Sequence, residues 1–181
     1  MAEFPLLLII LGTPASGKTT LARALALELQ YPCFCKDDIK EALFETLGTG
    51  TRDWSRRLSE ASFGCLSALA RAQIAGRLSC IVEGNWRAAH ARDLLSAAAA
   101  PGARTAQVWC CAGPEEIERR FTQRQRHPGH LDGLLRNELA RAQAPESAPA
   151  FLELPGPRWV YRSDVQDAYR GLLEALKSWG L

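Results

Sequence analysis

Gly12-Thr13-Pro14-Ala15-Ser16-Gly17-Lys18-Thr19 joins two glycines, a lysine and a hydroxyl residue at the spacing GxxxxGK[ST]. These residue types at these intervals suit the oxygens of a polyphosphate. Glycine lets backbone N–H groups wrap the phosphates, lysine neutralises the β and γ oxygens, and a threonine hydroxyl ligates magnesium. The pattern counts only between a strand and a helix, and both flanks fit. Leu6 to Leu11 is an unbroken apolar run, while Leu21, Leu25 and Leu29 recur every fourth residue. Gly12 to Thr19, with Thr20 next in line, is expected to bind a nucleoside triphosphate, ATP with Mg2+, and Thr19 to be a metal ligand.

Such a loop serves switches, motors and kinases alike. The sequence has no NKxD string for guanine selection and no apolar strand ending in Asp-Glu of the kind motor ATPases use. The run Cys80-Ile81-Val82-Glu83 places one carboxylate at the carboxyl edge of a sheet, where ligands of open α/β folds sit. Three roles fit Glu83: holding magnesium through water, binding substrate together with Asn85, or capping the turn by a hydrogen bond to Asn85.

The elements that must position these groups alternate in type. Strands are expected at Leu6–Leu11, Pro32–Cys35, Leu78–Val82, Arg104–Cys111 and Arg158–Tyr161. Helices are expected after the phosphate loop, from Asp37-Asp38 to Leu47, along the stripe Trp54 to Ala72, over Arg87–Ala99, and from Pro114 to about Arg126. A short helix from about Leu134 to Ala142 and an amphipathic closing helix, Asp164 to Trp179 with Val165 on its apolar side, complete the chain. Strand and helix in alternation predict an α/β fold, a parallel sheet between two helical layers.

Bulk properties narrow the class. The 181 residues fit one domain, 1–181, with at most a small mobile insertion. A formal charge of +2 gives little support to a dedicated nucleic-acid binder. No apolar stretch approaches the roughly 20 residues of a spanning helix, so no membrane partner is expected. The six cysteines sit in apolar segments without CxxC pairs and read as reduced core thiols of a cytoplasmic protein. Oligomeric state is not legible.

Four segments in order, GTPASGKTTLARAL, KDDIKEALF, IVEGNW and RRFTQRQRHPGH, resemble the small P-loop kinases of the AAA_33 type, relatives of zeta toxins, chloramphenicol phosphotransferase and polynucleotide kinases. The resemblance spans nearly the whole chain, with the phosphate loop its most stringent part. It implies a three-layer fold with a five-stranded parallel sheet, a mobile lid near residues 119–143, and phosphoryl transfer from ATP. It also places Asp37, just after the second strand, where the family carries the base for the attacking hydroxyl; the residues alone equally allow a helix N-cap. Lys40 falls where relatives carry a basic residue near the acceptor. Arg120 and Arg124, four apart on one helical face, match the lid arginines that cover the triphosphate, with Arg126 next and Arg119 facing solvent; a solvated basic face is the competing reading. His127 and His130 are expected to shape the lid turn.

The region Thr49 to Arg57, with Arg52, Arg56 and Arg57, is where relatives bind the acceptor, so its arginines either signal an acidic or phosphorylated acceptor or are ordinary surface. By analogy, Arg162-Ser163-Asp164 would seat adenine. The expected activity is an ATP-dependent kinase acting on a small-molecule hydroxyl. A polynucleotide 5′-hydroxyl kinase and a non-kinase ATP-binding or ATPase module are the alternatives.

Overall fold

Every residue of β1 (Leu6–Gly12) is buried, because this strand is the middle of a sheet covered on both faces. The computed structural model describes residues 4–130 and 149–180. The expected helix at 134–142 and the rest of the lid to 143 lie outside the described residues.

Five strands run parallel in the order β2-β3-β1-β4-β5, with β2 (Cys33–Cys35), β3 (Cys80–Glu83), β4 (Arg104–Cys111) and β5 (Arg158–Arg162). Parallel neighbours need crossovers, and α1 (Lys18–Leu29), α2 (Lys36–Leu47), α3 (Arg52–Ala75), α4 (Ala88–Ala98) and α5 (Pro114–Gln123) supply them. The closing helix α6 spans Ala168–Ser178. Side-chain alternation in β1 divides the core. Leu7, Ile9 and Leu11 pack with Phe63, Leu66 and Leu94, while Leu6, Leu8 and Ile10 pack with Leu21, Leu25, Leu172 and Leu176. This is the α/β fold the strand–helix alternation predicts. None of the helices among the described residues is long and apolar enough to cross a membrane.

The strand order sets the place of the site. The chain leaves β1 through α1 toward the β2 edge, and α4 carries it from β3 past β1 to β4 on the other side, so the connections diverge beside β1 and open a crevice beyond the carboxyl ends. The register aligns Ile10 with Glu83 and Gly12 with Cys110, so the phosphate loop and the end of β3 share that edge.

Several boundaries differ from the sequence reading for local reasons. The third strand begins at Cys80, and Leu78 is exposed because Arg77, left-handed at φ 59, still turns the chain there. The helix expected to start at Asp164 starts at Ala168: the Asp164 carboxylate accepts from Gly113 N at 2.7 Å and from Arg162, which holds it in a turn. Val165 is consequently exposed. The cysteines are not uniformly core, since Cys65 lies on the outer face of α3 and Cys33 and Cys111 are half-buried.

Candidate active site

Ala15 and Gly17, both left-handed with φ 61 and 88, bend the loop between β1 and α1 back over the helix N-terminus. Gly12 admits no side chain, because a Cβ there would lie 2.1 Å from the Cys110 carbonyl oxygen. Lys18 Nζ donates to Thr13 O at 3.1 Å, which curls the ammonium over the loop, and lies 3.9 Å from Glu83 Oε1. The Thr19 hydroxyl donates to Glu83 Oε2 at 3.1 Å. Thr13 Oγ1 and Ser16 Oγ are buried without a hydrogen-bond partner among the described residues. Such orphaned groups fit a loop shaped to receive a polar ligand. A lysine, a helix N-terminus, and hydroxyl and carboxylate oxygens at one point form a donor set that fits a triphosphate with magnesium.

Glu83 is 2% exposed. Burial raises its carboxyl pKa, and the Lys18 charge and the Thr19 hydroxyl oppose that rise. Of the three roles open to it, the structure favours one facing the phosphate loop: its partners are Thr19 and Lys18. Asn85 is half-buried and lines the second cavity beside it.

Asp37 does not cap its helix. Cys35 holds the N-cap position, Lys36 begins α2, and Asp37 is the second helical residue. Its carboxylate takes Lys36 Nζ at 3.1 Å on Oδ1 and Arg126 on Oδ2. Burial pushes its pKa upward, but Lys36 and Arg126, aided by His130 and Lys18, outweigh burial and hold it well below the usual carboxylate range. Asp37 is therefore ionised throughout the working range of pH. Asp38 instead faces outward and pairs with Arg23 at 2.9 Å.

The arginines reach the site by different routes. Arg120, in the last turn of α5, donates to Glu116 at 2.6 Å and to Ser163 Oγ at 2.8 Å; Ser163 Oγ in turn donates to Ser16 O at 2.7 Å. Arg120 is thereby strapped beside Gly17, where an added Cβ would meet its guanidinium at 3.1 Å. Arg124 is not on that helical face. The helix ends at Gln123, and Arg124 is an extended C-cap residue (φ −69, ψ 135) whose guanidinium stacks on Phe121 at 4.1 Å. Arg119 faces solvent, paired with Glu116 at 2.7 Å.

Beyond α5 the chain turns through Pro128–His130 and docks on α2 and α3. His127 meets Glu45 at 2.9 Å, His130 meets Glu41 at 2.8 Å, and Gly129 O accepts from Ser55 Oγ at 2.8 Å. Phe44 stacks on His127, and Lys40 Nζ donates to the same Ser55 at 2.9 Å. Lys40 is thus a buried cation tied to the turn.

Two cavities meet among these groups. A groove of about 730 Å³ runs along the loop past Thr20, Ala24, Arg120 and Ser163 to Tyr161 and Tyr169. A second cavity of about 450 Å³ is walled by Pro14, Lys36, Lys40, Ser55 and Phe63, and by Glu83, Gly84 and Asn85 beyond β3. Lys18, Asp37, Arg124 and Arg126 line both. Ala15, Gly17, Lys18, Thr19 and Thr20 line the groove and Pro14 the second cavity, whereas Gly12, Thr13 and Ser16 line neither. Arg52 and Arg56, both in the expected acceptor region, line the second cavity, and so do residues not anticipated from the sequence: Lys36, Arg87 and His90. Arg56 follows Arg52 by four, which puts both on one face of α3. Arg87 had no findable signal, because its place depends on how α4 packs against α3.

The AAA_33 family model, described as an AAA domain, matches residues 7–145. No curated protein matches the sequence. Among solved structures, a Chloroflexus aurantiacus protein assigned as a kinase superposes with TM-score 0.80 at 28% identity, over 97% of this chain and 98% of that one. The APS kinase of Mycobacterium tuberculosis (TM-score 0.56, 18% identity, 96% of this chain and 98% of that one) and the shikimate kinase of Acinetobacter baumannii (0.53, 18%, 99% and 96%) share the fold. The chain belongs to the AAA_33 family.

Proposed function

We propose that this member of the AAA_33 family is an ATP-dependent kinase that transfers the γ-phosphoryl group to a hydroxyl of a small molecule. The observation that carries this reading is the meeting of two cavities at Lys18, Asp37, Arg124 and Arg126. A simple NTPase needs a nucleotide groove and a water molecule. A second cavity opening on the same lysine and carboxylate gives an organic acceptor somewhere to sit. Similarity to a kinase-assigned protein at 28% identity supports the same reading.

ATP with magnesium supplies the phosphoryl group and a good leaving group. The chain's residues do the positioning. Lys18 and the loop N–H groups hold phosphate oxygens, and Thr19 with Glu83 offers oxygen donors to the metal. Asp37 accepts a hydrogen bond from the acceptor hydroxyl and takes its proton as the new O–P bond forms. Its depressed pKa makes it a weak base, which suits a loose transition state in which the proton leaves late. Arg124 and Arg126, at the junction, offset charge on the oxygens in transit, and Arg120 grips the nucleotide side.

The test is a screen of hydroxyl metabolites, nucleotide sugars and oligonucleotides for phosphorylation that depends on ATP and magnesium, repeated with Lys18→Ala and Asp37→Asn. Both variants should lose transfer, Asp37→Asn by about 10²–10⁴ in kcat with ATP binding retained. If Asp37→Asn leaves ATP turnover unchanged while Lys18→Ala abolishes it, the protein is an ATPase without an acceptor. An oligonucleotide acceptor would reveal itself by binding that weakens steeply with salt.

A further inference from the structure

Among the described residues, the second cavity is lined by more cations than carboxylates. With the residues it shares with the nucleotide groove set aside, its described lining holds the cations Lys36, Lys40, Arg52, Arg56 and Arg87 and the carboxylates Glu60 and Glu83. Glu83 is turned to Thr19 and Lys18. Lys36 is engaged by Asp37, and Lys40 by Ser55.

Arg56 and Arg87 are placed differently. Ser59, Glu60 and Phe63 continue the stripe of α3 that bears Arg56, and this stripe walls the cavity. Opposite, Arg87 is the N-cap of α4, and His90, three residues on, stacks on Phe63 at 3.9 Å and meets Glu60 at 3.1 Å. Both guanidiniums are therefore rooted within one helical turn of a fixed Glu60–His90 contact. Arg56 has a solvent-exposed 3.5 Å contact with Asp53, and Arg87 makes no ion pair with a described residue. The positive end of the α4 dipole lies at the same place.

Resting on the kinase reading, we propose that the acceptor is a hydroxyl compound already bearing a phosphate monoester, held by Arg56 and Arg87 while its hydroxyl meets Asp37. A phosphate monoester carries close to two negative charges at neutral pH and offers oxygens to two guanidinium forks; a monocarboxylate would balance one. The cavity, at about 450 Å³, has room for a metabolite of sugar-phosphate size. In the transfer, the bond from the γ phosphorus to the bridging oxygen breaks, its electrons go to ADP, the acceptor oxygen bonds to phosphorus, and the hydroxyl proton passes to Asp37.

The experiment is calorimetric binding to the full chain saturated with AMPPNP and magnesium, so that the phosphate loop is filled. Glycerol 3-phosphate, ribose 5-phosphate, glucose 6-phosphate and a nucleoside 5′-monophosphate are each titrated beside the neutral parent and the matching carboxylate. At least one phosphomonoester should bind tenfold or more tightly than both counterparts. Arg56→Ala combined with Arg87→Ala should remove most of that discrimination, and Arg56→Lys with Arg87→Lys should restore part of it. The proposal is overturned if no phosphomonoester exceeds its neutral parent tenfold, if a carboxylate equals it, or if the double variant discriminates as well as the wild type. Binding is read without turnover, so a protein that binds phosphomonoesters but phosphorylates nothing refutes the kinase reading, and a kinase of neutral acceptors refutes this inference.

Discussion

Arg126 donates to Asp37 Oδ2 across 89 positions of sequence, and Lys36 holds the other carboxylate oxygen from the adjacent position. The candidate base is thus set in a cationic clamp, one arm of which comes from the segment that follows α5. A hydroxyl arriving at Asp37 finds a carboxylate fixed in direction and ionised over a wide range of pH.

Arg126→Ala removes one of the two charges that lower the Asp37 pKa most, so that pKa moves up. On the kinase reading, transfer requires the ionised carboxylate. Because Asp37 stays ionised throughout the working range in the wild type, the readout is kcat at neutral pH, which should fall about tenfold or more as the carboxylate loses one arm of its clamp. An unchanged kcat would show that Arg126 does not position the base.

Glu83→Gln preserves size and leaves the Thr19 hydroxyl an acceptor, but removes the charge that faces Lys18 and a metal. Half-saturation by magnesium, at a fixed concentration of AMPPNP, should rise about tenfold or more. Equal magnesium dependence in the two proteins would exclude Glu83 from the metal site.

Backbone geometry separates two glycines. Gly12→Ala forces a Cβ to 2.1 Å from Cys110 O at φ 150, and should cost about 2–4 kcal/mol of stability and abolish nucleotide binding. Gly64 sits on the exposed face of α3 with no atom near its would-be Cβ, so Gly64→Ala should stabilise by about 0.5–1 kcal/mol. Denaturant melts of the two variants check both signs.

His130 is 5% exposed, and burial, with Arg126 adding to it, lowers its pKa from 6.5 to about 3 despite Asp37 nearby. The unfolded chain takes up this proton below about pH 6.5 and the folded chain does not, so His130 contributes stability above that pH which is lost as pH falls toward the folded pKa. Between about pH 6.5 and 5 the loss amounts to about 2 kcal/mol. Wild type should therefore lose more Tm over this interval than His130→Asn, measured by calorimetry at both ends. Parallel losses would mean that His130 is protonated in the folded turn.

The glycine-rich loop was legible because its chemistry is contiguous: backbone, lysine and threonine come from eight neighbouring residues whose flanks announce a strand and a helix. The five parallel strands were legible for a similar reason, since each is a short apolar run between helical stripes. Asp37 was singled out through the family resemblance, which carries a base just after β2. Its freedom from capping was not legible, because that rests on Cys35 taking the N-cap position.

What the residues determined by themselves was therefore the local part, a phosphate-binding turn at the head of a buried strand and the order of elements around it. Tertiary structure alone decided the rest. Glu83 could have faced Asn85 or the loop, and the register of β3 against β1 turned it to Thr19. Arg124 was expected to share a helical face with Arg120, but α5 ends at Gln123 and Arg124 joins the site from an extended turn. Arg56 and Arg87 enter one cavity because α4 packs on α3, a relation between helices separated by a strand. Hydrogen bonds along the chain act within a turn and leave their mark in sequence, whereas a side chain's direction into a cleft depends on packing between distant elements, which no local pattern records.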